Sequence, residues 1–227
     1  MVDFQAARRA MVEGQLRTSD VTDPRVLAAL LEVRRELFVP AGIVTLAYLD
    51  RNLPIDGEEA RAPAQPSRFL LKPMVQGRLI QALAPSNGDK ALVVGCGTGY
   101  SAAVIGRLAA NVTALEEDEG LSRRAKAALA AAAVENVTVV TGELAQGFAP
   151  AAPYQVILID GGAEFVPELI FRQLAKGGRL AVVICDGPSG KAMIYRSDEY
   201  GVVSGRGLFD TVAPLLPGFR RVPAFVF

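Results

Sequence analysis

Histidine is absent from the 227 residues. That excludes imidazole general bases, Ser/His/Asp triads, HExxH zinc sites and the two-histidine-one-carboxylate iron site. Whatever chemistry the chain performs needs no imidazole. Net charge is missing too: 24 Lys and Arg against 24 Asp and Glu leave nothing to recruit a nucleic acid or an anionic membrane. No apolar run approaches the ~20 residues that span a bilayer. The opening MVDFQAARRAMVEGQLR scatters charges where a secretory signal carries an apolar core, so a cytoplasmic location is expected. There are only two cysteines, Cys96 and Cys185, without metal-ligand spacing. They read as small buried thiols in a reducing compartment, and no metal site is expected.

What is present is the profile of a globular enzyme-like chain, 51% apolar and 21% charged, long enough for one domain with a terminal elaboration. The pattern predicts a helix over 3–17 with Asp3 as N-cap and Phe4, Ala7, Met11 and Val12 at helical spacing. Thr22-Asp23-Pro24 announces a second, carrying Val26, Leu27, Leu30 and Leu31 on one face and ending at Pro40. From Asp50 to Ser67 the chain turns Asp-, Glu-, Ala- and Pro-rich and reads as a loop. A helical stripe follows (Met74, Val75, Leu79, Ile80, Leu83), then the turn Pro85 to Asp89. These divide the chain into an N-terminal helical extension with a substrate-side loop, 1–84, and a main unit, 85–227.

From residue 91 strands and helices alternate. Strands are expected at 91–94, 112–115, 137–140, 156–159 and 180–184, with helices at about 99–109, 120–133 and 166–175. Short, nearly continuous apolar strands alternating with helices mean a parallel sheet covered on both faces. The tail has weaker alternating pieces (192–195, 202–209, 224–227) and is expected to close one sheet edge with antiparallel strands.

In such a sheet, ligands sit at the carboxyl ends of the strands near the point where strand order reverses. Those ends hold the run VVGCGTGYS with Gly95, Gly97 and Gly99, then Glu116, Gly142-Glu143 and Asp160-Gly161-Gly162. Glycines allow a tight bend and close backbone approach to a ligand, and an acid about twenty residues beyond the first can accept ribose hydroxyls. Glu117, Asp118 and Glu119 suit a helix N-terminus. The third glycine comes one residue earlier than in a dinucleotide fingerprint, and no Walker lysine is present. Acids without a phosphate-seeking cation favour a nucleoside that is itself cationic, and S-adenosylmethionine answers that description.

VVGCGTGYS, ALEED, VVTGE and KGGRL together resemble the class I S-adenosylmethionine-dependent methyltransferases. QLRTSDVTDPRVLAAL (15–30), VRRELFVP (33–40), AYLDRNLPI (47–55), APYQVILID (152–160) and LFDTVAPL (208–215) narrow the resemblance to the protein-L-isoaspartate O-methyltransferase family. The resemblance implies an α/β, Rossmann-like, doubly wound and mostly parallel seven-stranded sheet, with N-terminal helices and an antiparallel C-terminal edge. It implies S-adenosylmethionine as cofactor, S-adenosylhomocysteine as product, and a peptide or protein substrate carrying a carboxylate, with no nucleic acid and no membrane as partner. Gly95, Gly97 and Gly99 would line the methionine part, Glu116 would hold the ribose, and Glu143, an aspartate in the family, would meet the adenine amine. Cys96, Thr98, Tyr100, Glu117, Gly142, Leu144 and Asp160 fall on the cofactor side, and Leu70, Leu71, Lys72, Pro73 and Met74 on the substrate side. The sequence departs from the family's Thr-Ile-Ser-x-Pro segment: anchored on Pro73, Phe69 stands at the threonine and Leu71 at the serine, which leaves no catalytic residue to name and keeps open a cofactor-binding paralogue with a different methyl acceptor or a catalytically silent binding module beside methylation of an isoaspartyl carboxylate. Asp160-Gly161-Gly162 also departs from a Thr-Ala-Ala-like stretch. Lys72 and Arg68 are the nearby cations that could compensate.

Overall fold

The computed structural model describes residues 2–56 and 67–221. Its centre is a seven-stranded sheet in the order β5-β4-β3-β6-β7-β8-β9. The strands are β3 (Lys90–Val94), β4 (Asn111–Glu116), β5 (Val137–Thr141), β6 (Tyr154–Ala163), β7 (Leu174–Asp186), β8 (Ser189–Ser197) and β9 (Val203–Asp210). β3 to β7 run parallel, and β8 and β9 are antiparallel. Side chains alternate across the sheet: Ala91 and Val93 of β3 join one core, Leu92 and Val94 the other. β5, at the edge, is only half-covered.

Before the sheet come α1 (Phe4–Met11) and α2 (Pro24–Glu32), then β1 (Leu53–Pro54), β2 (Phe69–Leu70) and α3 (Pro73–Leu83). Asp3 caps α1 by accepting from the Ala6 amide, and Asp23 caps α2 with Pro24 in its first turn. Two expected helices are shorter. The first stays α-helical only to Met11 and continues as a π-turn over Val12–Leu16 and a 3₁₀ turn over Arg17–Ser19. The second stops at Glu32, with 3₁₀ turns replacing it up to Pro40 and beyond. Leu31 is exposed, outside the buried face formed by Val26, Leu27 and Leu30.

Within the sheet unit, α4 (Tyr100–Gly106) and α5 (Glu119–Ala131) follow the expected places, whereas the helix expected at 166–175 is a single turn, α6 (Glu168–Phe171). Ala175, expected in that helix, lies in β7, which begins at Leu174. β6 likewise runs past the expected stop at 159, through a bulge between Leu158 and Gly162. The tail explains this. Gly162 donates to the Pro214 carbonyl at 2.8 Å and accepts from the Leu216 amide at 2.9 Å, so residues 213–216 lie along the end of β6 and extend its pairing. The residues expected at 224–227 lie outside those described, as does most of the 50–67 loop. The described ends of that loop form an antiparallel ribbon, with Leu53 opposite Leu70 and Pro54 opposite Phe69.

Candidate cofactor and acceptor site

Strand order reverses between β3 and β6, and the glycine turn stands at that point. β3 ends in the turn whose Gly95, Gly97 and Gly99 take φ of 75, 56 and 96°, backbone that disfavours any side chain. The Gly95 and Cys96 amides donate to the Leu115 carbonyl at the end of β4, which ties the turn to the next strand. Glu116 closes β4 and is fully buried.

Glu116 is saturated with hydrogen bonds. One carboxylate oxygen accepts from Arg68 Nη1 at 2.5 Å and from the Glu117 and Asp118 amides at 3.0 and 3.2 Å. The other accepts from Arg68 Nη2 and the Gly97 amide, both at 2.8 Å. Burial works against the Arg68 charge, but the Glu116 carboxylate outweighs it and holds the guanidinium more firmly protonated than free arginine. Arg68 reaches this position because the ribbon holds it: its carbonyl accepts from the Ile55 amide at 2.9 Å, and its amide donates to Asp56 at 2.8 Å.

Around this pair the expected residues divide. Glu117 lies within electrostatic reach of Arg68, Glu116 and Glu143, and burial raises this half-buried carboxyl above the ordinary carboxylate range. Glu143 is exposed on the rim after β5, beside Gly142, and Leu144 is buried beneath it. Two others turn away from the cradle. Thr98 donates its hydroxyl to the Phe38 carbonyl at 2.5 Å, and Tyr100 packs edge-on against Phe38 and under the Arg35 guanidinium. The Cys96 thiol is buried, and burial pushes it well above its ordinary value, so it stays protonated. Thr98 and Tyr100 therefore anchor the N-terminal segment to the turn.

On the acceptor side, Leu71 is buried and Phe69 half-buried, and both line a cavity of about 10 Å³ with Arg68, Asp160 and Leu216. Lys72, Pro73 and Met74 open α3. Asn52 accepts from the Lys72 amide at 2.9 Å, and Asp50 accepts from the Met74 amide at 3.1 Å. Behind Leu71 runs a buried polar chain whose members no motif or spacing links. Arg35 donates to the carbonyls of Ala47 and Leu71 and to Gln76 Oε1, at 2.7, 2.6 and 2.5 Å. Gln76 in turn donates to Ser101 Oγ at 2.6 Å. Asp160 lies at its end. Burial raises its carboxyl from 3.8 to about 6 against the opposing hydrogen bonds of Ser101 and Gln76, and its Oδ1 has no partner among the described residues. Placed in the bulge of β6, Asp160 belongs to this acceptor-side chain and to the cavity rather than to the glycine cradle.

The donor set has the chemistry of an adenosyl site: a glycine turn, an acid closing the second strand and a rim acid after the third. In this conformation the space above the turn is taken by the chain itself. A Cβ on Gly97 would stand 2.5 Å from Ile55 Cδ1, one on Gly95 2.9 Å from Leu216, and one on Gly161 2.5 Å from Leu216. The glycines after Asp160 thus make room for the tail: a Cβ on Gly162 would meet the Ala213 carbonyl oxygen at 2.3 Å. Among the described residues no cluster of three metal-ligating side chains occurs, and no helix is long and apolar enough to cross a membrane.

The family model described as protein-L-isoaspartate(D-aspartate) O-methyltransferase matches residues 6–208. A protein-L-isoaspartate O-methyltransferase 1 of Rhodopseudomonas palustris is 38% identical over 181 residues, covering 80% of this chain and 70% of the relative. A protein-L-isoaspartate O-methyltransferase of Protochlamydia amoebophila is 40% identical over 179 residues, covering 79% of this chain and 80% of the relative. Among solved structures, a protein-L-isoaspartate O-methyltransferase superposes with a TM-score of 0.80 at 25% identity, over 93% of this chain and 66% of the other. A Plasmodium falciparum structure described as a beta-aspartate methyltransferase in complex with S-adenosyl-L-homocysteine shares the fold, with a TM-score of 0.75 at 16% identity over 95% of this chain and 99% of the other. With the family's match running from the first helix to β9, and the sheet and its switch-point turn in place, the chain belongs to the protein-L-isoaspartate O-methyltransferase family.

Proposed function

We propose that this chain is an S-adenosylmethionine-dependent O-methyltransferase that methylates a carboxylate of isoaspartyl-containing protein or peptide. The observation that supports the reading is the glycine turn at the reversal of strand order, joined through the Gly97 amide to Glu116 at the end of the neighbouring β4, in a member of this family. The cofactor supplies a methyl group on a sulfonium. In this reading Gly95, Gly97 and Gly99 allow close approach of the backbone, Glu116 accepts the ribose hydroxyls, and Glu143 meets the adenine amine from the rim. Cys96, Gly142 and Leu144 complete the walls, with Glu117 beside Glu116. Residues 85–227 form the cofactor unit, and residues 1–84 bring the substrate side to it.

A carboxylate with a pKa of ~4 is already ionised at neutral pH, so its methylation requires alignment and exclusion of water rather than a general base. A chain without histidine suits that reaction. On the acceptor side Leu71 and Phe69 exclude water, and Arg35 fixes the backbone at Leu71 through its carbonyl. Asp160 sets the charge of the cavity: protonated below about pH 6 it offers an O–H donor in place of the hydroxyls absent at 69 and 71, and ionised above it repels a carboxylate. The balanced charge of the chain supports a partner that is not a polyanion, and the two free, buried cysteines suit the cytoplasm. The test is incubation with methyl-labelled S-adenosylmethionine and an isoaspartyl peptide beside its aspartyl twin. Base-labile label on the isoaspartyl peptide alone is the expected result. Label on neither, under conditions where the cofactor binds, refutes the reading.

A further inference from the structure

The residue before the two lost hydroxyl positions is an arginine, and its fork lies on the acid that the cofactor reading assigns to the ribose. A ribose diol offers two donors to a carboxylate, and Arg68 offers two from one rigid plane, at 2.5 and 2.8 Å. The three backbone amides complete five hydrogen bonds on Glu116. A carboxylate with two oxygens and about four lone-pair directions has no capacity for two more donors. Arg68 and Glu116 are both buried, so the pair is not a solvated contact that water could exchange. Ile55, hydrogen-bonded to Arg68 through the ribbon, covers Gly97 in the same stroke.

We propose that Arg68 competes with the cofactor's ribose for Glu116, so that cofactor binding requires Arg68, and with it the β1–β2 ribbon, to leave the site. The proposal rests on the reading above that Glu116 receives the ribose. It makes Arg68 a latch: the guanidinium keeps the buried acid paired until the cofactor takes over the acid. The cost of breaking that pair is subtracted from cofactor affinity, because a binding-competent state that is only fractionally populated weakens the apparent affinity by that fraction. Removing the fork therefore tightens binding, although it takes away a charged group near the site.

The experiment is calorimetric titration of S-adenosylhomocysteine into the wild-type chain, Arg68→Gln and Arg68→Lys. Arg68→Gln is expected to bind at least about tenfold more tightly than wild type. Arg68→Lys, a point charge without the planar fork, is expected to fall between them, and it carries the test should the glutamine variant fail to fold. Equal affinity in wild type and variants, or weaker binding in the variants, overturns the latch and leaves the cofactor reading standing. Binding to none of the three overturns both.

Discussion

Glu116 and Arg68 are one ion pair, yet removing either partner should not cost the same. Substituting Glu116→Ala leaves the Arg68 guanidinium, whose side chain is 7% exposed, without a counter-charge, and orphans the amides of Gly97, Glu117 and Asp118. Breaking a buried pair from the side that strands a charge costs about 3–5 kcal/mol, and each orphaned buried donor adds about 1 kcal/mol or more. Arg68→Met is different. It leaves the Glu116 side chain still accepting three backbone amides, while the methionine fills the arginine's stem volume. The loss is then that of two charge-assisted bonds at about 1.5–3 kcal/mol each, roughly 3–6 kcal/mol together. Urea unfolding of both variants at pH 7 should therefore place Glu116→Ala about 2 kcal/mol below Arg68→Met. An Arg68→Met variant as damaged as Glu116→Ala would refute the claim that the amides of the turn and of the α5 entry hold Glu116 independently of its cation.

Three further outcomes follow from the same geometry. Asp160 is raised from 3.8 to about 6 by burial, so the folded chain holds its proton more tightly than the unfolded chain does. Stability then falls as pH rises from about 4 to about 6 and is flat above, a loss of about 3 kcal/mol. Asp160→Asn should exceed wild type by about 3 kcal/mol in urea at pH 8 and by about half that at pH 5; a gap independent of pH would sink the assignment. Arg35→Met removes three donors from the Ala47 and Leu71 carbonyls and Gln76 Oε1, all inside the core. It should lower stability by about 3 kcal/mol or more, and Arg35→Lys should not restore it; a loss under about 1 kcal/mol contradicts the role given to Arg35. Gly97→Ala places a Cβ at φ 56° and 2.5 Å from the Ile55 tip, which can swing aside. The backbone then decides the cost, about 1–2 kcal/mol, with Gly97→Val costing more; unchanged thermal midpoints for both would show that the turn does not hold that φ.

The sheet was legible because its signals are local. Four or five apolar residues ending at Val94, Leu115 and Ile159 bury themselves on both faces whatever the rest of the chain does, and glycines with positive φ announce the turn. The same locality placed Glu116 and Glu143 at strand ends. The site's present occupant was not legible in that way. Arg68 lies 48 residues before Glu116, and a sequence that pairs them looks like one that leaves each in solvent. The Arg35–Gln76–Ser101 chain is assembled from three separate elements and carries no periodicity. Helix lengths failed for a related reason. The 166–175 stretch has helical spacing, but the parallel register of β7 on β6 claims it from Leu174 onward, pairing Leu174 with Tyr154.

The departures from the family pattern are coupled by packing. A Cβ at Gly161 or Gly162 would collide with Leu216 or with the Ala213 carbonyl oxygen. The tail can therefore lie on β6 only because those two side chains are missing. Leu216, once there, covers Gly95 and closes the cavity that Leu71, Phe69 and Arg68 line from the other side. A serine at 71 would stand in a cavity still closed by Leu216, and an alanine at 161 would push the tail away from a cavity still lined by Leu71. Neither change alone restores the family arrangement. Glycines, tail and arginine together fill the space beside the turn, while the Gly97 amide keeps Glu116 tied to it.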